Sequence, residues 1–498
     1  MRASGILMPV FSLPGAYGIG TMGKEAYAFI DFLAAAKQTF WQILPIGPTG
    51  YGDSPYQSFS AFAGNPYFID PALLVRDGLL TQAELPAPVR SVRIRYAALY
   101  RTRPKLLAKA TARLLAAQPE AYRRFCRKEG FWLDDYALFL AVKEENGQVG
   151  LSDWPEDIRM RQTSALRAAQ KRLAPRVDYF KAVQYLFYTQ WAALKDYANA
   201  HGVRIIGDIP IYVSPDTSDF WAHPELFQTD ERRMPNRVAG CPPDAFSATG
   251  QLWGNPLYDW PAHEADGFAW WCRRMAHATS IYDIVRIDHF RGFESYYSIP
   301  AGAKDARSGT WCKGPDAAFI AALHKALPGA SIIAEDLGYL TPAVHAMLQA
   351  SGYPGMKVLQ FAFDSREESD YLPHTYHRNS VVYTGTHDNT TTQDWQHSAA
   401  QTDVDYACEY LACTRRGLTD AMIRAAYSSV SDTAIIPLAD WLHLGAAARI
   451  NTPSTTLNNW QWRVGKDCLT PALAQHIARQ TQIYGRIPNK TAAKKERG

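Results

Sequence analysis

The sequence predicts an α/β protein in which parallel strands and helices alternate and close into a barrel, and three observations support this fold class. Short apolar runs that end in polar, glycine or proline residues recur along the chain, and helix-like segments follow them. Eight such runs can be counted, the number that closes a (β/α)8 TIM barrel. No low-complexity linker or longer internal repeat divides the 498 residues. We therefore expect one decorated barrel over residues 1–498.

The predicted elements follow one another in barrel order. The eight predicted strands are GILMPVF (5–11), FWQILPI (40–46), VRIIGDIPIYV (203–213), YDIVRIDHF (282–290), SIIAEDL (331–337), MKVLQFAF (356–363), SVVYTGTHD (380–388) and TAIIPLAD (433–440). Amphipathic segments between them predict outer helices, among them 24–37, 183–202 and 315–327. The last of these follows Gly-Pro, as a helix start does.

Two connections are longer than a strand–helix unit needs. Residues from about 70 to 180 are rich in Ala, Leu, Arg and Tyr with helical periodicity, which predicts an inserted helical subdomain beside the cleft. Residues from about 214 to 281 include VAGCPPDAFSATGQLWGNPLYDW, whose Gly, Pro and Asn residues predict an active-site loop region.

Composition excludes several classes of function. The net charge is only +4, and the one dense basic cluster, NKTAAKKERG at the end of the chain, is more typical of a frayed tail than of a nucleic-acid arm. The seven cysteines have no metal-ligand spacing, which predicts reduced packing residues and no metal. No segment approaches 20 uninterrupted apolar residues, so we expect a cytoplasmic protein without membrane or nucleic-acid partners. The 12% of aromatic residues suits either sugar stacking or a large core.

Charged residues occupy the ends of three predicted strands. Side chains alternate along a strand, so Arg286 and Asp288 share a face, and Asp388 shares one with Thr384. Glu335 ends another strand. A parallel barrel brings these ends together at its catalytic face. One pair such as Arg286 and Asp288 is explained equally well as a buried ion pair, but three coincident strand ends favour a catalytic site.

Cleavage of a glycosidic bond requires two carboxyl groups in opposite protonation states. Asp288 is the predicted nucleophile, because Arg286 two residues earlier should lower the pKa of its carboxyl group. Glu335 is the predicted acid/base, because an apolar wall and nearby carboxylates should raise its pKa. Asp388 then either stabilises positive charge on the sugar ring or binds its hydroxyls, with His387 as a hydrogen-bond donor to substrate.

Three segments, RIDHFRG (286–292), AEDLG (334–338) and THDN (386–389), resemble the signature regions of the α-amylase clan. More narrowly, the chain resembles the 4-α-glucanotransferases, also called amylomaltases or disproportionating enzymes. This narrower resemblance rests on four further segments, GYGDSPYQSFSAFAGNPYFID (50–70), GDIPIYV (207–213), PPDAFS (242–247) and LWGNPLYDW (252–260).

The resemblance implies a retaining double displacement in which Asp288 is the nucleophile, Glu335 the acid/base and Asp388 the transition-state stabiliser, with Arg286 and His387 in support. It implies no metal and no cofactor. The 58 residues after the eighth strand (441–498) are too few for the all-β C-terminal domain of many clan amylases, which again resembles amylomaltases.

The implied function is transfer of α-1,4-glucan segments from maltooligosaccharides or starch-like glucans to glucose or another glucan. An α-glucan hydrolase that uses the same three acids is the first alternative, and a non-catalytic glycan-binding barrel is the second. The presence of all three acids argues against the second. The sequence makes no prediction of oligomeric state.

Four further residues are predicted to bind substrate. Tyr56 and Trp253 are candidate stacking surfaces, although ordinary loop packing explains them equally well without the resemblance. Asp208 and Asp244 are candidate ligands of sugar hydroxyls. The two long connections would hold the acceptor sugar and shield the intermediate from water.

Overall fold

The computed structural model describes residues 2–243, 247–338, 340–366 and 369–487, and its centre is a parallel sheet. The described strands are β1 (Ala3–Leu7), β2 (Phe40–Gln42), β3 (Arg204–Ile209), β4 (Arg237–Cys241), β5 (Gln251–Pro256), β6 (Ile284–Ile287), β7 (Ser295–Pro300), β8 (Thr310–Lys313), β9 (Ile332–Ala334), β10 (Gly355–Val358), β11 (Ser380–Tyr383) and β12 (Thr433–Pro437).

Eight of these strands form one sheet in the order β10-β11-β12-β1-β2-β3-β6-β9, and every pair in it is parallel. The two ends of the sheet approach each other, because the Ala334 N–H at the end of β9 donates to the Pro354 carbonyl beside β10 at 3.0 Å. The predicted barrel is therefore confirmed. Each predicted strand contributes one strand to it, and all eight are shorter than the apolar runs that predicted them.

Helices surround the barrel. They are α1 (Lys24–Ala35), α2 (Pro71–Arg76), α3 (Tyr96–Ala117), α4 (Glu120–Glu145), α5 (Glu156–Arg159), α6 (Thr163–Arg172), α7 (Ala174–Ala200), α8 (Ser218–Ala222), α9 (Trp260–Ala265), α10 (Ala269–Ile281), α11 (Asp316–Ala326), α12 (Pro342–Ser351), α13 (Thr392–Ser398), α14 (Gln401–Tyr410), α15 (Leu418–Ser428), α16 (Leu438–Trp441) and α17 (Pro471–Ile483). No described helix is both long and apolar enough to cross a bilayer.

The connection between β2 and β3 contains helices α2 to α7. Buried residues of α4, including Trp132, Leu133 and Phe139, belong to the same apolar core as the barrel. The helical character predicted for residues 70–180 is thus present, while their status as a separate subdomain stays a prediction.

A second sheet lies beside the barrel, and the sequence does not predict it. It is antiparallel in the order β5-β4-β7-β8, and two of its strands lie within the connection at 214–281, for which the sequence predicts a loop region. Its strands contain Gly and Pro and lack a regular apolar alternation, so the sequence signal for them is weak. This sheet packs beside the segment that follows β6.

Candidate active site

The predicted catalytic residues converge at the carboxyl ends of the barrel strands. Arg286 lies on β6 and Asp288 directly after it, while Glu335 follows β9, the neighbouring strand. Asp388 follows β11 by five residues. On the other side of β6, Asp208 of β3 lies directly opposite Arg286. Parallel strands bring these positions to one face of the barrel, as expected.

Arg286 is the centre of the charge arrangement. Its Nη1 lies 2.7 Å from each carboxylate oxygen of Asp208 and 3.1 Å from Oδ1 of Asp288. Its Nε lies 3.4 Å from Sδ of Met356. Burial acts to lower the pKa of the guanidinium, but the charges of Asp208 and Asp288 outweigh burial and raise it. Arg286 therefore stays charged while it serves two carboxylates.

The pKa of Asp288 departs from the predicted direction. Although 29% of its side chain is exposed, Asp288 lies deep in the barrel mouth, and this burial raises its pKa above the usual value. Arg286 opposes the shift, whereas the charges of Glu335 and Asp208 add to it. The predicted effect of Arg286 is therefore present, because the guanidinium does act to lower the pKa of Asp288, but burial outweighs it and the net shift is upward.

Glu335 is held by backbone donors. Its Oε2 accepts from the His289 N–H at 2.6 Å and its Oε1 from the Leu337 N–H at 2.9 Å. Burial raises its pKa, while Arg286 and the two backbone donors lower it by smaller amounts. The predicted direction is confirmed. His289 adopts a left-handed backbone conformation with φ of 51°, a costly geometry for a non-glycine residue that occurs where the chain turns to donate to Glu335.

Asp388 and His387 lie beside each other at the cleft. His387 Nε2 is 3.4 Å from Asp388 Oδ1, and the Asn451 side-chain amide donates to the same oxygen at 2.6 Å. Arg449 Nη2 donates to the Asp388 carbonyl at 3.0 Å. The Asp388 side chain remains 45% exposed, but His387 is buried, which lowers the pKa of its imidazole. A neutral His387 faces an accessible carboxylate.

Sequence reasoning missed Asn451, Arg449 and Trp460. All three belong to the segment after the last barrel strand, in which the sequence shows no strand-end pattern. Trp460 lies 6.0 Å from His387 and 5.9 Å from Tyr56, between ring centroids. The only sequence signal for these contacts is the pair of polar residues Arg449 and Asn451, and no strand or recognised motif lies next to them.

The predicted substrate residues divide into two groups. Tyr56 stacks on His387 with ring centroids 5.2 Å apart, and its hydroxyl donates to Asp208 Oδ2 at 2.7 Å. Trp253 meets the ring of His289 edge-on at 4.8 Å and is half-buried. Both rings line the site. Asp208 is 1% exposed and both of its oxygens are engaged, which favours support of Arg286 over contact with sugar.

Asp244 lies outside the described residues. Among the residues that the structure describes, no group of three or more His, Cys, Asp or Glu side chains has the arrangement of a metal site. The groups that converge are instead a guanidinium, carboxyl groups in different settings and flat aromatic rings. This set can protonate a leaving oxygen, attack an acetal carbon and stack on a sugar.

Comparison with known proteins gives a consistent set of similarities. A family model described as 4-alpha-glucanotransferase matches residues 8–468. A 4-alpha-glucanotransferase of Streptococcus pneumoniae is 48% identical over 496 residues, covering 98% of each chain. One from Clostridium butyricum is 45% identical over 485 residues, covering 96% of this chain and 100% of its own. An amylomaltase from Streptococcus agalactiae, solved in complex with acarbose, is similar with a TM-score of 0.95 at 40% identity, covering 98% of this chain and 100% of that one.

Proposed function

The chain belongs to the 4-alpha-glucanotransferase family and has its activity on α-1,4-glucans, and from this premise we propose how its own residues perform the transfer. Asp288 attacks the anomeric carbon of a bound donor glucan, and Glu335 donates a proton to the departing 4-oxygen. The observation that carries this assignment is the different setting of the two carboxyls. Asp288 lies against Arg286, whereas Glu335 is held by two backbone N–H groups.

The charges favour one proton on the pair, located on Glu335. The negative charge of Glu335 contributes to the raised pKa of Asp288, so protonation of Glu335 removes that contribution. Arg286, 3.1 Å away, then favours the ionised form of Asp288. The first half-reaction requires an ionised nucleophile beside a protonated acid, and the contact of Arg286 with Asp288 favours that distribution of the proton.

The first half-reaction forms a covalent β-linked glycosyl ester on Asp288 and releases the reducing-end fragment. In the second half-reaction, Glu335 removes a proton from the 4-hydroxyl of glucose or another glucan, and that oxygen displaces Asp288. Two inversions leave the α configuration unchanged. Water competes with the sugar acceptor at this stage.

Asp388 and His387 act on the sugar ring at the transition state. The exposed carboxylate of Asp388 is oriented by Asn451 and stabilises the positive charge that develops on the ring. His387 donates to a ring hydroxyl, since its neutral imidazole carries one N–H. Tyr56 and Trp253 stack on flanking sugars and help to keep water from the intermediate.

Incubation with maltotriose alone tests the proposal. Glucose together with a ladder of longer maltooligosaccharides, at a constant number of reducing ends, is the expected result. Asp288→Asn should lower the rate by more than about 10³-fold while the circular dichroism spectrum is retained. Rising reducing ends without a ladder would instead indicate a hydrolase. No reaction by the wild-type protein would indicate a glycan-binding barrel without catalysis.

A further inference from the structure

Trp311 is an exposed tryptophan in a protein that otherwise covers its tryptophans. Of the fourteen tryptophans in the chain, it alone is among the exposed large apolar residues of the described part, with 44% of its surface accessible. It lies on β8, which is an edge strand of the second sheet. An exposed indole forgoes the stabilisation that burial of so large a ring gives. Its position therefore requires an explanation.

The ring is held in a fixed orientation. The guanidinium of Arg291 lies over it, 4.1 Å from the ring centroid, and the Tyr297 ring meets it edge-on at 5.3 Å. Trp311 and Tyr297 are directly opposite each other in the register of β7 and β8. Arg291 is 5% exposed and donates from Nη2 to Ser295 Oγ at 3.1 Å. One face of the indole is thus covered, and the exposed surface lies away from Arg291.

The strand that carries Trp311 is also anchored. Lys313 Nζ lies 2.6 Å from Glu294 Oε1 and 2.8 Å from Asp316 Oδ2. These contacts tie the end of β8 to the start of β7 and to α11. A ring that is already ordered loses little conformational entropy when a ligand stacks on it, which favours binding.

Both edges of the second sheet contact the segment that contains the predicted nucleophile. At one edge, Trp253 of β5 lies 4.8 Å from the His289 ring. At the other edge, Trp311 of β8 lies over Arg291. His289 and Arg291 are one and three residues after Asp288. Trp311 thus packs on a residue that lies three positions after Asp288, in the segment that leaves the candidate active site.

We propose that Trp311 is a stacking surface for a segment of linear α-1,4-glucan that extends beyond the catalytic cleft. This inference rests on the proposed function, because it assigns a second contact for the same substrate. Aromatic faces stack on the apolar C–H faces of sugars. Lys313 lies two residues after Trp311 on β8 and therefore on the same face of the strand, and 59% of its side chain is exposed beside the indole. An isolated ring among polar neighbours suits a sugar better than an apolar protein partner.

Affinity electrophoresis tests the contact directly. The Asp288→Asn protein, which does not consume the substrate, is run in native gels with and without long-chain amylose. We expect Trp311→Ala in this background to weaken retardation by amylose about fivefold to tenfold, and Trp311→Phe to restore most of it. Ile483→Ala, a truncation of an exposed apolar residue on α17, is the matched control and should behave as the parent does. Equal retardation of Trp311→Ala and its parent would overturn the inference.

A kinetic comparison separates this inference from the proposed function. In the otherwise wild-type protein, Trp311→Ala should lower the ratio of kcat/KM on long amylose to kcat/KM on maltotriose. An equal fall on both substrates would assign Trp311 a structural role through Arg291 and overturn the inference. Disproportionation of maltotriose by the wild-type protein tests the proposed function independently of either result. A change in sedimentation coefficient on Trp311→Ala would show instead that a second copy of the chain covers the ring.

Discussion

At the scale of single residues, Arg286 decides how the acids of the site behave. One guanidinium contacts Asp208 on a neighbouring strand and Asp288 at the end of its own strand. Burial raises the pKa of Asp288 by more than Arg286 lowers it. Glu335 is governed by the same burial without a direct ion pair. Residues that do not contact the sugar, such as Asp208, should therefore change the pH dependence of the reaction.

Glu335 should be needed most for a leaving group that must be protonated. We expect Glu335→Gln to lower transfer from maltotriose by about 10²- to 10⁴-fold, the usual contribution of general acid catalysis. Release of 4-nitrophenolate from an aryl α-maltooligoside should fall much less, because this leaving group departs without a proton. Burst kinetics at 400 nm on the order of milliseconds to seconds measure that release. Equal losses on both substrates would contradict the role.

The wild-type enzyme should lose activity on the alkaline side as Glu335 loses its proton. Because burial raises the pKa of Glu335, this alkaline limb should lie above the usual range of a glutamate. Since the acid must be protonated to act, kcat/KM falls as pH rises through that pKa. The limb should be absent in Glu335→Gln, and its persistence there would assign it to another group.

Asp208 should affect the acidic limb of the same profile. Its negative charge contributes to the raised pKa of Asp288, so Asp208→Asn should lower that pKa. Asp288 attacks only when ionised, and the acidic limb of kcat/KM should therefore move to lower pH. Tyr56→Phe removes the hydroxyl that donates to Asp208 but keeps the charge, and serves as the control. An unmoved limb in Asp208→Asn would contradict the charge coupling.

At the scale of secondary structure elements, the positions of the acids depend on how closely the barrel strands pack against neighbouring segments. β3, which carries Asp208, is the clearest case. Gly207 lies between Ile206 and Asp208 on β3, and a Cβ atom there would lie 2.2 Å from the Tyr282 ring.

The alternation of side chains between the two faces of a strand holds within each strand and does not continue beyond its end. β11 ends at Tyr383, and Thr384 turns to donate to Asp440 at 2.5 Å, so the predicted common face of Thr384 and Asp388 does not exist.

Gly207→Ala should therefore disturb both stability and catalysis. The added methyl group must displace the buried Tyr282 ring or shift β3, at a cost of about 1–3 kcal/mol in the free energy of unfolding. Movement of β3 would also misplace Asp208. Gly445→Ala is the control, because an added Cβ at that residue has no atom within 4 Å and its φ is −86°. Urea denaturation measures the difference, and equal midpoints would contradict the close approach.

At the scale of the whole molecule, the acids and the buried guanidinium of Arg486 lie at opposite ends of the barrel. The acids are at the carboxyl ends of the strands, whereas Arg486 is near the amino ends, beside the start of β1. Arg486 is fully buried and donates to carbonyls of Ala3, at the start of β1, and of Tyr427 and Ser431. Burial lowers the pKa of Arg486 to about 10, so it remains charged at neutral pH.

Arg486→Met should lower stability without changing the chemistry. Loss of the guanidinium leaves several buried carbonyls without a donor, which should cost about 3–5 kcal/mol. The transition temperature in a calorimetric scan should fall, while kcat on maltotriose at low temperature is retained. Arg479→Met, at an exposed position of α17, is the matched control. Loss of activity without a change in transition temperature would contradict this separation.

The barrel and its principal acids could be predicted from the amino-acid sequence. Each barrel strand is a local apolar run, and Arg286, Asp288, Glu335 and Asp388 lie within or directly after the runs that predicted the strands. Because parallel strands end at one face, their convergence follows from strand order alone. The upward shift in the pKa of Glu335 could also be predicted, because a residue at the end of a core strand is expected to be buried.

Only the tertiary structure decided which distant groups share these charges. Asp208 lies 78 residues before Arg286, and Asn451 lies 63 residues after Asp388, yet both are in hydrogen-bonding contact. The second sheet, with Trp253 and Trp311 at its edges, depends on the pairing of β4 with β7, between which β5, α9, α10 and β6 lie in the sequence. Such pairings leave little periodic signal in the sequence, because short strands are stabilised mainly by their neighbours in space. Burial raises the pKa of Asp288, and the charges of Glu335 and Asp208 add to that shift, so the contact with Arg286 two residues earlier was not enough to predict its direction.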